Sequence, residues 1–299
     1  MGGARWSDDD YKSYATRTNY VTASRDEVFV NRNMPQSLDP SKIRLRESCD
    51  SEQNPNSTPL IFALDVTGSM GQYAELIAKE GLPELMSKIL EVSPVQDPHL
   101  MFMGLDDVHA HSPAPLQVSQ FEADIRILEQ LREIYLVGRG GGNSSESYDL
   151  PWYFAANKTK IDSLAKRGKK GYLFTFGDEE APYETVSARK LESVFGPGQY
   201  KDMTPAESLA AAQEKYEVFH IVIEQGNYCR DNKGRVYGTW TELLGNRVLF
   251  LKDFRNLTEL VIATLKISEG ADIQEVIRES ANPKALEYAF RNALQSELA

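Results

Sequence analysis

From Leu60 onward, short apolar runs alternate with stretches of helical periodicity. The runs are Leu60 to Leu64, Leu100 to Leu105, Tyr172 to Phe176, Val218 to Ile223 and Val248 to Leu251. Continuous apolar runs bounded by turn formers are the pattern of strands buried on both faces, and their spacing leaves room for crossover helices. The pattern predicts an α/β sandwich. Its first crossover helix should begin near Gly71 and present Leu82, Leu85, Met86, Ile89 and Leu90 as one core-facing stripe, kinked at Gly81 and Pro83. Further helices are expected over 147–166, 205–216 and 257–266. A closing helical stretch is expected over 273–298, broken at Pro283.

Before Leu60 the pattern is different. Residues 1–57 are rich in Ser, Asp, Asn and Arg, carry scattered aromatics (Trp6, Tyr11, Tyr14, Tyr20) and keep no period. They read as an arm whose aromatics dock it on the main body without joining the core. Lys42 to Arg46 is expected to form a short strand. The run Asn54-Pro55-Asn56-Ser57-Thr58-Pro59 marks the boundary, so a chain beginning near Asn56 is expected to fold by itself.

Composition narrows the function. The chain has 299 residues, 41% hydrophobic and 26% charged, which excludes a disordered polypeptide. A net charge of -11 opposes a phosphate-tracking surface, so no nucleic-acid partner is expected. The one basic cluster, Lys166 to Lys170, reads as a solvated helix end. Cys49 and Cys229 lie far apart with no ligand spacing, which argues against a disulfide framework. The stretch Met1 to Lys12 has no apolar core. Neither a signal peptide nor a membrane span is expected there, and the expected location is the cytoplasm.

The chemistry is carried by Asp65-Val66-Thr67-Gly68-Ser69, at the end of the first buried run. One carboxylate and two hydroxyls separated by single residues can be turned by a tight loop toward one point. Hard oxygen ligands of this kind suit magnesium, manganese or calcium. The carboxyl end of a central parallel strand is also where open α/β sheets bind ligands.

With this loop the sequence resembles the von Willebrand factor A (vWA) family, whose metal-ion-dependent adhesion site opens with Asp-x-Ser/Thr-x-Ser after the first strand. The resemblance covers about residues 58–268, leaving 269–299 as a C-terminal helical extension. It implies a three-layer α/β/α sandwich, with a central, mostly parallel sheet flanked by helices and a divalent cation at its top edge. The family's second loop offers a Thr after glycines. Here Gly138-Arg139-Gly140-Gly141-Gly142-Asn143-Ser144-Ser145-Glu146-Ser147 has none, so Asn143 or Ser144 is expected to take the role. Glu146 is either a further ligand or a carboxylate stabilised at a helix N-terminus. In the third loop, Gly177-Asp178-Glu179-Glu180, Asp178 matches the family's completing Asp, commonly placed one water from the cation. Glu179 and Glu180 read as solvated rim residues, and Asp106 and Asp107 as loop-forming residues. His109 and His111 lack a third soft ligand, and His220 reads as a core histidine.

The resemblance therefore implies a metal-dependent protein-binding module, an adaptor or scaffold, and not an enzyme. The metal set would be Asp65, Thr67, Ser69, Asp178 and Asn143 or Ser144. The partner would supply an acidic side chain to the cation. By analogy with intracellular bacterial proteins of this arrangement, it would be an AAA+ ATPase or a stress-response protein. Aspartyl phosphatases need a carboxylate two residues after the first Asp, where Thr67 stands, and no phosphate-cradling Gly-rich motif is present. The alternative is a metal-dependent hydrolase using the same site.

Overall fold

The computed structural model describes residues 7–18, 24–110, 112–138 and 144–297. Eight strands occur among them: β1 (Arg46–Ser48), β2 (Thr58–Asp65), β3 (Pro98–Leu105), β4 (Leu116–Val118), β5 (Thr159–Ile161), β6 (Gly171–Gly177), β7 (Tyr216–Ile223) and β8 (Val248–Leu251). Six of them form the central sheet in the order β4-β3-β2-β6-β7-β8. All pairings are parallel except that of β4 with β3. Taken in chain order within the sheet, the order is 3-2-1-4-5-6, the doubly wound arrangement. The winding reverses between β2 and β6.

Alternation along each strand divides the core into two layers. Leu60, Phe62 and Leu64 of β2, with Tyr172, Phe174 and Phe176 of β6, face helices Leu82–Val92 and Leu257–Ser268. Ile61, Ala63 and Leu173 face the other way, toward helices Asp149–Asn157, Pro205–Gln213 and Asn227–Leu244. The protein is thus an α/β/α sandwich with a mostly parallel sheet. Every residue of β2 is buried, as its unbroken apolar run requires.

The first crossover carries its stripe as expected, with Leu82, Leu85, Met86 and Ile89 in the core. Its irregularity takes the form of a π-helical turn, Ile77–Gly81, ahead of the Pro83 turn.

Several expectations need correction. The helix expected over 147–166 is two helices, Asp149–Asn157 and Asp162–Arg167, separated by β5. β5 exists because β1 supplies a parallel partner from the arm, a contact no local pattern encodes. The arm's strand begins at Arg46 because Pro40–Lys42 forms a 3-10 turn capped by Asp39. The helix from Pro205 stops at Gln213, and Tyr216 already belongs to β7. Helices Arg126–Glu133, Ala188–Phe195 and Asn227–Leu244 were not anticipated.

The arm also goes deeper than docking. Tyr14, Val28, Phe29 and Leu38 are buried members of the core, while Trp6 and Tyr20 lie outside the described residues. Arg46 is buried, and its guanidinium donates to the carbonyls of Ser119 (3.0 Å), Ser37 (3.2 Å) and Val118 (3.4 Å). The C-terminal stretch forms helices Ile273–Glu279, Pro283–Ala289 and Arg291–Glu297. Tyr288 reaches Glu224, just beyond β7, at 2.7 Å. Among the described residues, no helix is long and apolar enough to cross a membrane.

Candidate metal centre

Asp65 ends β2 and Asp178 follows β6, so the two strands flanking the winding reversal deliver one carboxylate each to the same point. Three loops and one helix terminus build the site. The first loop is pinned by Val66 N donating to Leu105 O (3.0 Å), and Gly138 N of the second loop donates to Val66 O (3.1 Å). The second and third loops pair edge to edge, with a Ser145–Glu180 bridge and Glu180 N donating to Ser144 O at 3.0 Å. The helix Asn227–Leu244 aims its N-terminus into the cluster. Asn227 N donates to Ser69 O (2.8 Å) and Tyr228 N to Asp178 Oδ2 (2.8 Å). An anion at a helix N-terminus is favoured by the free N–H groups there.

The side chains form a chain of oxygens. Asp65 Oδ1 accepts from Thr67 N (2.9 Å) and Thr67 Oγ1 (2.6 Å), and Asp65 Oδ2 accepts from Tyr148 Oη (3.0 Å). Ser69 Oγ donates to Asp178 Oδ1 at 2.8 Å, and Thr67 Oγ1 lies 3.0 Å from Ser69 Oγ. Each hydroxyl has one hydrogen. Either hydroxyl can be the donor in the Thr67–Ser69 contact, so the two hydroxyls link the Asp65 and Asp178 carboxylates in one continuous row of oxygens.

Two further carboxylates are drawn in. Glu146 is 2% exposed and Glu179 4%; neither Glu146 oxygen has a hydrogen-bond partner, nor does Glu179 Oε2. Glu179 and Glu180 are therefore not solvated rim residues. The Ser145–Glu180 pairing draws them against Ser144 and Ser145, and Trp240 Nε1 donates to the Glu179 carbonyl at 2.9 Å. Glu180 accepts from Tyr228 Oη at 2.5 Å and pairs with Arg235 at 3.1 Å. Burial, followed by the charges of Asp65 and Asp178, pushes the Glu179 carboxyl up to about 9. Burial also raises Glu146, with the charges of Asp65 and Glu179 adding to it. Asp178 is raised by burial, against hydrogen bonds from Ser69 and the backbone of Tyr228.

Of the residues expected to ligate, Asp65, Thr67, Ser69 and Asp178 are brought together. Ser144 lies on the neighbouring edge, where its carbonyl serves Glu180 and its side chain serves Tyr228. Asn143 and His111 lie outside the described residues. Asp106 and Asp107 shape their loop, Asp106 Oδ1 accepting from Asp107 N (2.7 Å) and Asp107 Oδ1 from His109 N (2.8 Å). His109 Nδ1 faces Lys190 and Glu184 at 2.6 and 3.1 Å. His220 is fully buried, its Nδ1 2.8 Å from Thr175 Oγ1. Tyr148 is the residue sequence reasoning missed, since no local pattern marks a phenol that reaches a carboxylate 83 positions away.

The donor set fits a hard divalent cation. Among the described residues, no three His, Cys, Asp or Glu side chains stand close enough to hold a metal by themselves. The cluster instead mixes hydroxyls with carboxylates, and the Glu146 oxygens and Glu179 Oε2 are buried beside it without a hydrogen-bond partner. Asp65, Thr67, Ser69 and Asp178 are the residues that would hold the ion.

Fold and site together define a doubly wound α/β domain with an oxygen-rich cluster at its switch point. No family model matches the chain, and no curated protein matches it. Among solved structures, the chain is similar to the pilus adhesin SpaC from Lactobacillus rhamnosus GG in its open conformation. That likeness has 10% identity and a TM-score of 0.42, over 72% of this chain and 31% of the adhesin. It is also similar to a von Willebrand factor type A protein from Catenulispora acidiphila. There the identity is 14% and the TM-score 0.36, over 72% of this chain and 43% of the other. The chain thus corresponds to less than half the length of either.

Proposed function

We propose that this protein is a vWA-type module that binds a protein partner through a divalent cation held by Asp65, Thr67, Ser69 and Asp178. The observation that carries the reading is the convergence of two carboxylates and two hydroxyls, Thr67 Oγ1 lying 2.6 Å from Asp65 Oδ1 and 3.0 Å from Ser69 Oγ, and Ser69 Oγ 2.8 Å from Asp178 Oδ1. Thr67 and Ser69 would act as neutral ligands, with Asp65 and Asp178 balancing the charge around them. Glu146 and Glu179 are buried beside them, and burial raises their proton affinity in the cation-free protein. The cation then retains attraction for an anion, and the partner group of matching chemistry is a carboxylate. In a chain of net charge -11, the cation makes such an acidic contact favourable at close range.

A specific observation favours a second reading, a metal-dependent hydrolase. Glu146 and Glu179 are buried carboxyls with raised proton affinity beside the candidate cation, as a proton-transferring group would be.

The test is retention of proteins from native extract on the immobilised chain, with magnesium and with chelator, repeated with Asp65→Asn. The binding reading expects a protein that is retained with magnesium, released by chelator and absent from the variant. Retention indifferent to chelator and variant would remove it.

A further inference from the structure

Beyond Asp178 the third loop is fastened to the helix Asn227–Leu244 residue by residue. Trp240 Nε1 donates to the Glu179 carbonyl (2.9 Å), Glu180 takes the Tyr228 phenol (2.5 Å) and Arg235 (3.1 Å), and Ala181 N donates to Thr239 Oγ1 (3.1 Å). Val186 then returns to the core. Between these anchors the loop carries Tyr183 outward, 59% exposed. Among the described residues the exposed large apolar side chains are Val30, Leu45, Val92 and Tyr183, and of these Tyr183 is the aromatic one. An aromatic ring held in water by a fastened loop is the kind of anchor that dominates protein interfaces, because little order is left to impose on it.

Between this loop and the helix lies a cleft of about 630 Å³, within the size range of ligand-binding clefts. Its near end is the oxygen cluster. Tyr228 joins the two, its N donating to Asp178 Oδ2 and its phenol to Glu180. Arg235 stands at this end, its side chain 66% exposed while that of its partner Glu180 is 6% exposed, so an incoming segment meets the positive end of the pair. Leu243 and Glu242 line the cleft two turns further along the helix, which puts Glu242 about 10 Å from Arg235 along the axis. Pro182 and Tyr183 line the loop side. The cleft therefore runs from a basic end at the cluster, past an apolar middle, to an acidic end.

We propose that this cleft docks an extended segment of the protein partner that reads acidic, then apolar, then basic. Its acidic end meets the cation and Arg235, its apolar side chain packs on Tyr183 and Leu243, and its basic residue pairs with Glu242. This rests on the reading of the cluster as a cation site. Opposite charges at the two ends fix the direction in which the segment lies, since the reversed segment sets like charges against each other at both.

The test is selection of a random peptide library on the immobilised full chain in magnesium, followed by fluorescence anisotropy of the enriched peptides. These are expected to carry Asp or Glu, then an aromatic or aliphatic residue, then Lys or Arg, and to bind Tyr183→Ser at least about tenfold more weakly. Tyr183 and Glu242 are both exposed, so Tyr183→Ser and Glu242→Lys should melt with the wild type, and Tyr183→Ser should keep the wild-type magnesium affinity by calorimetry. Glu242→Lys is expected to reverse the preference at the far position, favouring peptides whose Lys or Arg is replaced by Glu. A merely structural role for Glu242 would move both sets of peptides alike. Failure to enrich, peptides without this order, or affinity indifferent to both substitutions overturns the cleft, and the magnesium titration then judges the cation reading alone. Peptides that keep the order and the loss with Tyr183→Ser but bind equally well in chelator uphold the cleft and remove the cation reading.

Discussion

Replacing Asp65 by Asn separates the stability of this protein from its proposed cation binding. Burial, then the charge of Asp178, pushes the Asp65 carboxyl from 3.8 up to about 8. At pH 7 the cation-free protein must therefore take up a proton at Asp65 on folding. The stability this group contributes is fully present below its unfolded value of 3.8 and is lost as pH rises toward about 8. About three units separate the unfolded value from pH 7, so the penalty there is on the order of 4 kcal/mol. Part of it is shared with Asp178, raised in the same cluster, which brings the expected gain on removing the Asp65 charge to about 2 kcal/mol or more.

The substitution preserves shape. An Asn side chain can still accept from Thr67 N and Oγ1 through its oxygen, and its amide can donate to the Tyr148 oxygen. In chelator at pH 7, Asp65→Asn is expected to raise the unfolding midpoint by roughly 4–8 °C, at about 2–4 °C per kcal/mol for a chain of this size. The advantage should shrink toward pH 5 and grow toward pH 8. With magnesium at a hundred times its dissociation constant, the wild type should gain about 2.7 kcal/mol and the variant nothing. Circular dichroism melts across pH, with chelator and with magnesium, measure all of this. A variant less stable than wild type in chelator at pH 8 would show that no charge is held against its will at Asp65. A variant that keeps the magnesium shift would remove Asp65 from the site.

Gly226→Ala would place a Cβ 2.2 Å from Asp178 Cβ and 2.4 Å from its Oδ2, pushing the carboxylate off Ser69. It should abolish the magnesium response and cost about 1–3 kcal/mol in chelator. Gly234→Ala in the same helix meets nothing within 4 Å and should leave the response intact while stabilising the helix by about 0.5–1 kcal/mol. A chain beginning at Asn56 would lose the buried side chains of Val28, Phe29 and Leu38, each worth about 1.5–3 kcal/mol. It would also lose β1, the Arg46 bonds and the Asp50 to Arg167 ion pair at 2.7 Å. It should melt at least 10 °C lower or be insoluble, an outcome of about the size those losses imply. A midpoint equal to that of the full chain would mean the arm contributes no net stability.

The sequence by itself determined the features whose causes are local. An apolar run such as Leu60 to Leu64 has nowhere to go but a strand covered on both faces, and five such runs marked β2, β3, β6, β7 and β8. Asp65, Thr67 and Ser69 converge because residues two apart in one tight loop share a side, whatever surrounds them. β4 was hidden because three residues are too few to show a period. The helix Asn227–Leu244 was hidden because its buried positions, Cys229, Val236, Trp240 and Leu244, are sparse among polar ones. Glu179 looked like a solvated rim residue because a charged side chain after a strand usually is one. Its burial depends on the Ser145–Glu180 pairing and on Trp240 some sixty positions later. Tyr148 is the extreme case. Its meaning depends on a carboxylate from β2, a glycine at the end of β6 and an aromatic wall from β7 and the helix beyond it. Those elements meet only because the sheet reverses its winding between β2 and β6, which leaves a crevice at the strand ends that loops from distant segments must fill.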